Sequence, residues 1–452
     1  MVHSFTPYQG FLQLLGYLSS LLCPPRISIR LLYVYCFIFF AVTTLLGIRM
    51  HLKSYLPVTL FGLLALASDT PSSSATDPFE TYTISAENIT ATLIPYGARL
   101  TSLLVPDREG NEQDVVVGYD DPKDYLKDTQ IDHTFFGAVV GRYANRIKNG
   151  TFEVSGSKYE ISKNENDGLD TLHGGDVGYD QRNWTVTAHS SSSITFTLLD
   201  SGLENFPGDV ITHATFSVDT EATPENPKGL PQLTTKLISL ALTEATPIMM
   251  SNHIYWNLNA FKETNILKDT FLQLPLSKRL IGTDGILIPD GTLLGVDSYK
   301  GAPDFTTGKL VGKDIESAAG LCGTNCTGYD NCFVVDRDTA YGSGSSIVPV
   351  LRMNSSTTGI SLEVATNQQA VQIYSCNGQK GNIPIKPSQA KRNKEEGIEG
   401  AKNVNKYGCI VIEPEGWIDG INNPQWGQLS DQIYTPAGAP AVNWATYQFG
   451  TV

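Results

Sequence analysis

Methionine is scarce in this chain, 5 of 452 residues, and charged side chains make up only 17%. Sustained i, i+3, i+4 apolar spacing is missing, which excludes a helical bundle as the main architecture. Neither HExxH nor paired CxxC occurs, so zinc has no sequence support and neither a metal nor an organic cofactor is expected. Positive charge is also short. The 32 Lys and Arg stand against 46 Asp and Glu, a net −14, which disfavours any partner held through its phosphates and sets nucleic acid aside. Acidic residues are themselves absent from residues 1–68, which hold Arg26, Arg30, Arg49 and Lys53; the 28 basic and 46 acidic groups beyond give −18.

That acid-free start reads as a targeting region. Leu31–Ile48 is an apolar run of about 18 residues, at the lower limit for crossing a bilayer. After it, Met50-His-Leu-Lys-Ser, the run VTLFGLLALA and the triplet Ala65-Leu66-Ala67 have the order of n-region, h-region and small-x-small cleavage site. The expectation is a secretory signal over 50–68, with residues 1–49 an extension upstream of the true start or, alternatively, a membrane anchor. Either way the globular part is placed outside the cytosol, free of the membrane once the signal is cleaved. Sequons at Asn88, Asn149, Asn183, Asn325 and Asn354 agree with that route. Beyond the leader's Cys23 and Cys36, the chain has Cys322, Cys326, Cys332, Cys376 and Cys409. An odd number leaves at least one unpaired or paired between chains, and Cys322 with Cys326 is spaced for a local bridge.

What is abundant points to strands: 41 Gly, 24 Pro and 20 Tyr suit turns and aromatic-rich β structure. After a Ser/Thr/Pro linker over 69–78, period-2 alternation recurs in TYTISA, ATLIPYG, SITFTLLD, ATFSVDT, GISLEVAT, AVQIYS and CIVIEPE. No internal repeat or second linker appears, so 79–452 is predicted to be one all-β domain, a β-sandwich or barrel-like fold. Gln379–Tyr407, rich in Lys, Glu, Gly and Asn, is predicted to be a solvated loop between the last two of those strands.

Polar residues interrupt apolar or Gly-rich stretches at Gly141-Arg-Tyr-Ala-Asn-Arg-Ile147, Thr171-Leu-His-Gly-Gly175, Ser251-Asn-His-Ile-Tyr-Trp-Asn-Leu258 and Gly408-Cys-Ile-Val-Ile-Glu413-Pro-Glu415. In the last, an apolar run ends in a carboxylate, a costly placement without a partner and therefore a candidate for function. Each also has a plain structural reading. His173 can cap a turn, His253 can be a satisfied core histidine, Arg146 can sit in a surface ion pair, and Glu413 can accept bonds from a loop.

The ordered set GRYANRI, LHGG with DQRNW, NHIYWNL, GYDNCF and IEPEGWIDGIN resembles the aldose 1-epimerase (galactose mutarotase) family from about Thr90 to Asn422. The resemblance implies a large antiparallel β-sandwich, the galactose mutarotase-like supersandwich, and a free sugar as the small-molecule substrate. It assigns the general base to Glu413 and the general acid to His253. Arg146, His173 and Asp330, with Asn145 beside them, match positions that hold the ring oxygen or hydroxyls. Tyr255 and Trp256 are expected to line the cleft, since apolar sugar faces stack on aromatic rings.

Interconverting anomers requires a base at the C1 hydroxyl and an acid at the ring oxygen, which a carboxylate and an imidazole supply without a cofactor. The sequence departs from the family's usual Glu-x-Gln by reading Glu413-Pro-Glu415, and residues 413 and 415 share a strand face, so two carboxyls approach the site. Glu415 in place of Glu413 as the base stays an alternative. Two other readings remain: glycoside cleavage by a pair such as Glu413 and Asp330, and a sugar-binding protein without turnover. Hexose 6-phosphates are disfavoured by the −18 charge and the leader.

Overall fold

The computed structural model describes residues 76–224, 226–337 and 346–452. The expected leader, signal segment and most of the linker lie outside the described residues.

Strand alternation builds the larger sheet. Asp209–Asp219 and Gln232–Ala241 bury every second residue, the period-2 signature of a sheet covered on one face. They belong to a nine-stranded sheet ordered Thr185–His189, Ser193–Ser201, Asp209–Asp219, Gln232–Ala241, Ala441–Thr451, Ile360–Thr366, Val348–Ser355, Thr270–Gln273 and Lys309–Leu310. A six-stranded sheet, ordered Tyr255–Trp256, Ile410–Glu415, Ala370–Tyr374, Asp330–Val334, Arg279–Thr283 and Pro289–Gly295, packs upon it. A four-stranded sheet over residues 82–114 adds to the same core. Every pairing between named strands is antiparallel. The all-β sandwich reading therefore holds.

Two faces of the six-stranded sheet meet different surroundings. Ile410, Ile412, Val371, Ile373 and Phe333 point into the core shared with Leu237, Tyr447 and Phe449 of the larger sheet. Residues of opposite parity, such as Cys332, Val334 and Ala370, join a second cluster with Val140, Tyr143, Ile147 and Trp417. Both faces are thus covered, which explains why Ile410–Glu415 is buried at all six positions.

Disulfides join Cys322 to Cys326, as the spacing suggests, and Cys376 to Cys409, leaving Cys332 free and buried. The second bridge closes the base of the 379–407 segment, and here the solvated-loop expectation fails. The segment carries a helix over Pro387–Glu395 and buries Ile383, Ile385, Lys386, Gln389, Asn393 and Val404. Lys386 Nζ reaches Asp114 Oδ2 at 2.8 Å and the Thr101 carbonyl at 2.7 Å. Gln389 donates to the carbonyls of Asp114 and Val116. These partners lie more than 270 residues away in sequence, so local composition concealed the anchoring. Among the described residues no helix is long and apolar enough to cross a membrane.

Candidate active site

Register places the first half of the site. Glu413 lies opposite Gln372, and Asp330 opposite Tyr374, in adjacent strands of the six-stranded sheet. Partners across an antiparallel pair project from one face, so Glu413, Gln372, Tyr374 and Asp330 share the face away from the main core. Gln372 Nε2 donates to Asp330 Oδ1 at 2.7 Å, which fixes the aspartate on the face that carries Glu413. Tyr255, opposite Val411, joins the same face. Its neighbour Trp256 points the other way, packing 5.1 Å from Tyr447 and 5.9 Å from Phe449. The expectation that Trp256 lines the cleft is corrected accordingly: strand alternation allows only one of two adjacent aromatics to do so.

Two polar turns supply the second half. Asn145 and His173 both have left-handed backbone, with φ of 58° and 49°. The Asn145 N–H donates to His173 Nδ1 at 3.0 Å, and the His173 N–H donates to the Asn145 carbonyl at 3.2 Å. A ring nitrogen that accepts a backbone N–H carries no proton, so neutral His173 holds its proton on Nε2 and is a hydrogen-bond donor along its free edge. Arg146 is buried, its guanidinium forked onto Glu165 at 2.7 and 2.8 Å with Asp170 at 3.9 Å. That rules out a surface ion pair. His253, on the strand Ser251–His253, puts Nε2 3.5 Å from Glu413 Oε1.

All six residues singled out by the sequence, Glu413, His253, Arg146, His173, Asp330 and Asn145, line one cleft of about 430 Å³. Phe135 closes one side, its ring centroid 4.8 Å from that of His173 and 5.5 Å from that of His253. Phe135, Glu165 and Gln372 have no local sequence signal: each acts through partners distant in the chain. The outer rim includes Gln379, Lys380 and Asn382 from the anchored segment, and Cys322 and Cys326 from the disulfide loop. Asn382 and Lys380 both reach Asp132 on the opposing rim.

Burial governs the charges. Desolvation, then the negative charges of Glu415 and Asp330, push Glu413 well above the usual carboxylate range, against the pull of Arg146. Desolvation holds His253 down at about 3. His173 is held well below its ordinary value by burial and by the neighbouring His253 and Arg146. The buried Glu413–His253 pair therefore favours a protonated carboxyl beside a neutral imidazole. Moving one proton between them gives carboxylate and imidazolium without changing the net charge, so the two groups act as a single one-proton unit.

Donor atoms of His173, His253 and Glu413 lie within 4.8 Å of one another, close enough to share an ion. The tautomer argues against that use. A ligating imidazole offers a bare nitrogen and donates from its other one, whereas His173 accepts at Nδ1 and carries hydrogen at the nitrogen left free. The set suits proton transfer and hydrogen bonding to oxygen.

Comparison with known proteins agrees with this geometry. Residues 80–433 match the family described as Aldose 1-epimerase. A protein of Arthroderma benhamiae named "Probable aldose 1-epimerase" is 60% identical over 384 residues, covering 83% of this chain and 87% of its own length. The galactose mutarotase of Sus scrofa is 28% identical over 365 residues, covering 79% and 91%. A GalM/aldose epimerase homologue from C. elegans superposes with a TM-score of 0.67 at 26% identity, over 82% of this chain and 99% of that one.

Proposed function

This chain belongs to the aldose 1-epimerase family, an isomerase interconverting the α and β anomers of aldoses, and from that premise we propose that Glu413 is its general base and His253 its general acid. The observation that carries the assignment is their pairing at 3.5 Å, buried in a cleft. The two oxygens that exchange protons in ring opening sit on one sugar carbon, so acid and base must be neighbours. Glu413 takes the proton of the C1 hydroxyl as His253 gives one to the ring oxygen. The C1–O bond breaks, the open-chain aldehyde turns about its C1–C2 bond, and the reverse transfers close the ring on the other face. Each opening carries the pair from carboxylate and imidazolium to carboxyl and imidazole, and each closing restores it. The one-proton unit is thus never required to gain or lose net charge.

His173, as a neutral Nε2–H donor, and Arg146 stabilise charge developing on oxygen. Asp330, held by Gln372, and Asn145 bind hydroxyls, and Tyr255 and Phe135 offer rings to the sugar's apolar face. Glucose and galactose are the substrates we propose. Freshly dissolved α-D-glucose and α-D-galactose should approach their equilibrium optical rotation faster with protein present, and absence of acceleration with every aldose tried would refute the reading. No observation favours glycoside cleavage or sugar binding without turnover.

We also propose that the protein is secreted and glycosylated. Supporting this, both disulfides belong to an oxidising compartment. Asn88, Asn149 and Asn325 are exposed and sit in turns with positive φ. Asn183 is exposed while its side chain donates to the Thr76 carbonyl, and Asn354 is half-buried in a strand. Mass spectrometry of the native protein should find glycans first at the three turn sites and an N-terminus beyond residue 67; a peptide from 1–49 in mature protein overturns the signal assignment.

A further inference from the structure

Glu415 lies two residues beyond the proposed base on the same strand face, with none of its surface exposed. Its Oε1 accepts from Asn145 Nδ2 at 3.0 Å, and its Oε2 has no hydrogen-bond partner among the described residues. Asn145 is a pivot. Its backbone exchanges two hydrogen bonds with His173, its Oδ1 accepts the Arg146 N–H at 2.9 Å, and its φ of 58° is one that an Asn adopts at a cost. Nothing else in the described structure receives the Asn145 amide.

We propose that Glu415 is a positioning residue for anomer interconversion, holding Asn145, and through it His173 and Arg146, while acting on Glu413 by charge. This rests on the reaction assigned above. The titratable and charged groups around the 413–415 row are Asp330 and Cys332 from the strand Asp330–Val334, Tyr143 and Arg146 from the turn segment 141–146, His253 from the strand Ser251–His253, Tyr255 from Tyr255–Trp256 and Tyr447 from Ala441–Thr451. Arg146 is the single permanent cation in that set. Desolvation pushes Glu415 up to about 8, so near neutrality it keeps its proton and accepts from Asn145 through its carbonyl oxygen. Once ionised, it sets a second negative charge against Glu413, which then holds its own proton to higher pH.

Measurement of kcat/KM for galactose mutarotation against pH, on the full chain and its Glu415→Gln and Glu415→Ala variants, tests this. The Gln variant keeps an acceptor for Asn145 and removes the charge. Its kcat/KM should stay within about threefold of wild type up to about pH 8, where Glu415 still holds its proton, and the two profiles should part above that pH, where wild type alone gains a second negative charge beside Glu413. The Ala variant leaves the Asn145 amide unpaired and should lose kcat/KM by about tenfold or more, with Gln at the same position restoring it. A purely structural role would lower activity without changing the shape of the profile above about pH 8. A Gln profile superimposable on wild type overturns the proposal, as does an Ala variant with undiminished kcat/KM. A Gln variant as inactive as Glu413→Gln overturns it differently, making Glu415 the base. Should the Ala variant fail to fold, the Gln pH profile decides alone. Wild-type protein inactive on every aldose refutes the reaction, an outcome distinct from one confined to the variants.

Discussion

Glu413 and His253 are both nearly inaccessible, yet neither is neutralised by a permanent partner: Glu413 Oε2 and His253 Nδ1 find no hydrogen bond among the described residues. Buried polar atoms left this way weaken a fold and are retained where chemistry uses them. Glu413→Gln and His253→Asn should each lower kcat by roughly 10²–10⁴-fold, the usual worth of a positioned acid or base. Thermal midpoints should hold or rise, since a buried ionisable group with an unsatisfied polar atom has been removed. Comparing the two readouts on one sample separates a catalytic loss from misfolding, and near-full activity in either variant sinks its assignment. These two residues were legible in the sequence because a charge ending an apolar run, or a histidine amid aromatics, needs an explanation. Glu165 and Phe135 gave no such cue. Glu165 sits in an ordinary polar stretch, and only the fold brings its carboxylate against Arg146.

Alternation within strands decides which neighbours become functional. Tyr255 and Trp256 are adjacent and both buried, but one faces the cleft and the other the sandwich core. Trp256→Ala should therefore cost about 3–5 kcal/mol of stability through the cavity it leaves, with KM little changed for the protein that remains folded. Tyr255→Ala should act mainly on KM, and equal effects on both quantities from either variant would contradict the facing assigned to these strands. Sequence spacing showed that 413 and 415 share a face, yet it could not say which parity of 255 and 256 faced the cleft, because register belongs to the pairing with Val411 and Ile410. The 379–407 segment was illegible for a related reason. Its buried residues are spread among Lys, Glu and Gly, and its stabilising partner Asp114 is remote. Lys386→Met removes one member of an ion pair in which both side chains are 1% exposed. It should destabilise by about 3 kcal/mol, Asp114 being left without its cation. KM should rise as well, because the segment that Lys386 anchors carries Gln379, Lys380 and Asn382 on the cleft rim.

At the scale of the whole molecule, the all-β architecture was readable because alternation in strands such as Asp209–Asp219 survives in the burial pattern residue by residue. Covering the outer face of the six-stranded sheet with turns and short hairpins then had a thermodynamic consequence that no local pattern displays: it enclosed several carboxyls. Burial pushes Glu415 up to about 8, and Asp170 and Asp419 each up to about 7. Unfolded, such groups titrate near 4. Because the folded chain holds these protons more tightly, the stability they contribute is complete below about pH 4 and is lost as pH rises through 7 to 8. His253 behaves oppositely. Held at about 3 when folded against about 6.5 when unfolded, it contributes fully above 6.5 and loses that contribution as pH falls toward 3. Below 6.5 the two effects oppose each other; between 6.5 and 8 only the carboxyls change. The thermal midpoint should accordingly be lower at pH 8 than at pH 6.5. Repulsion among surface charges of a −14 chain is screened by salt, whereas the cost of ionising an enclosed carboxyl is not. The fall should therefore persist at high ionic strength, and a midpoint that stays level or climbs between those pH values would show that these carboxyls are not buried as described.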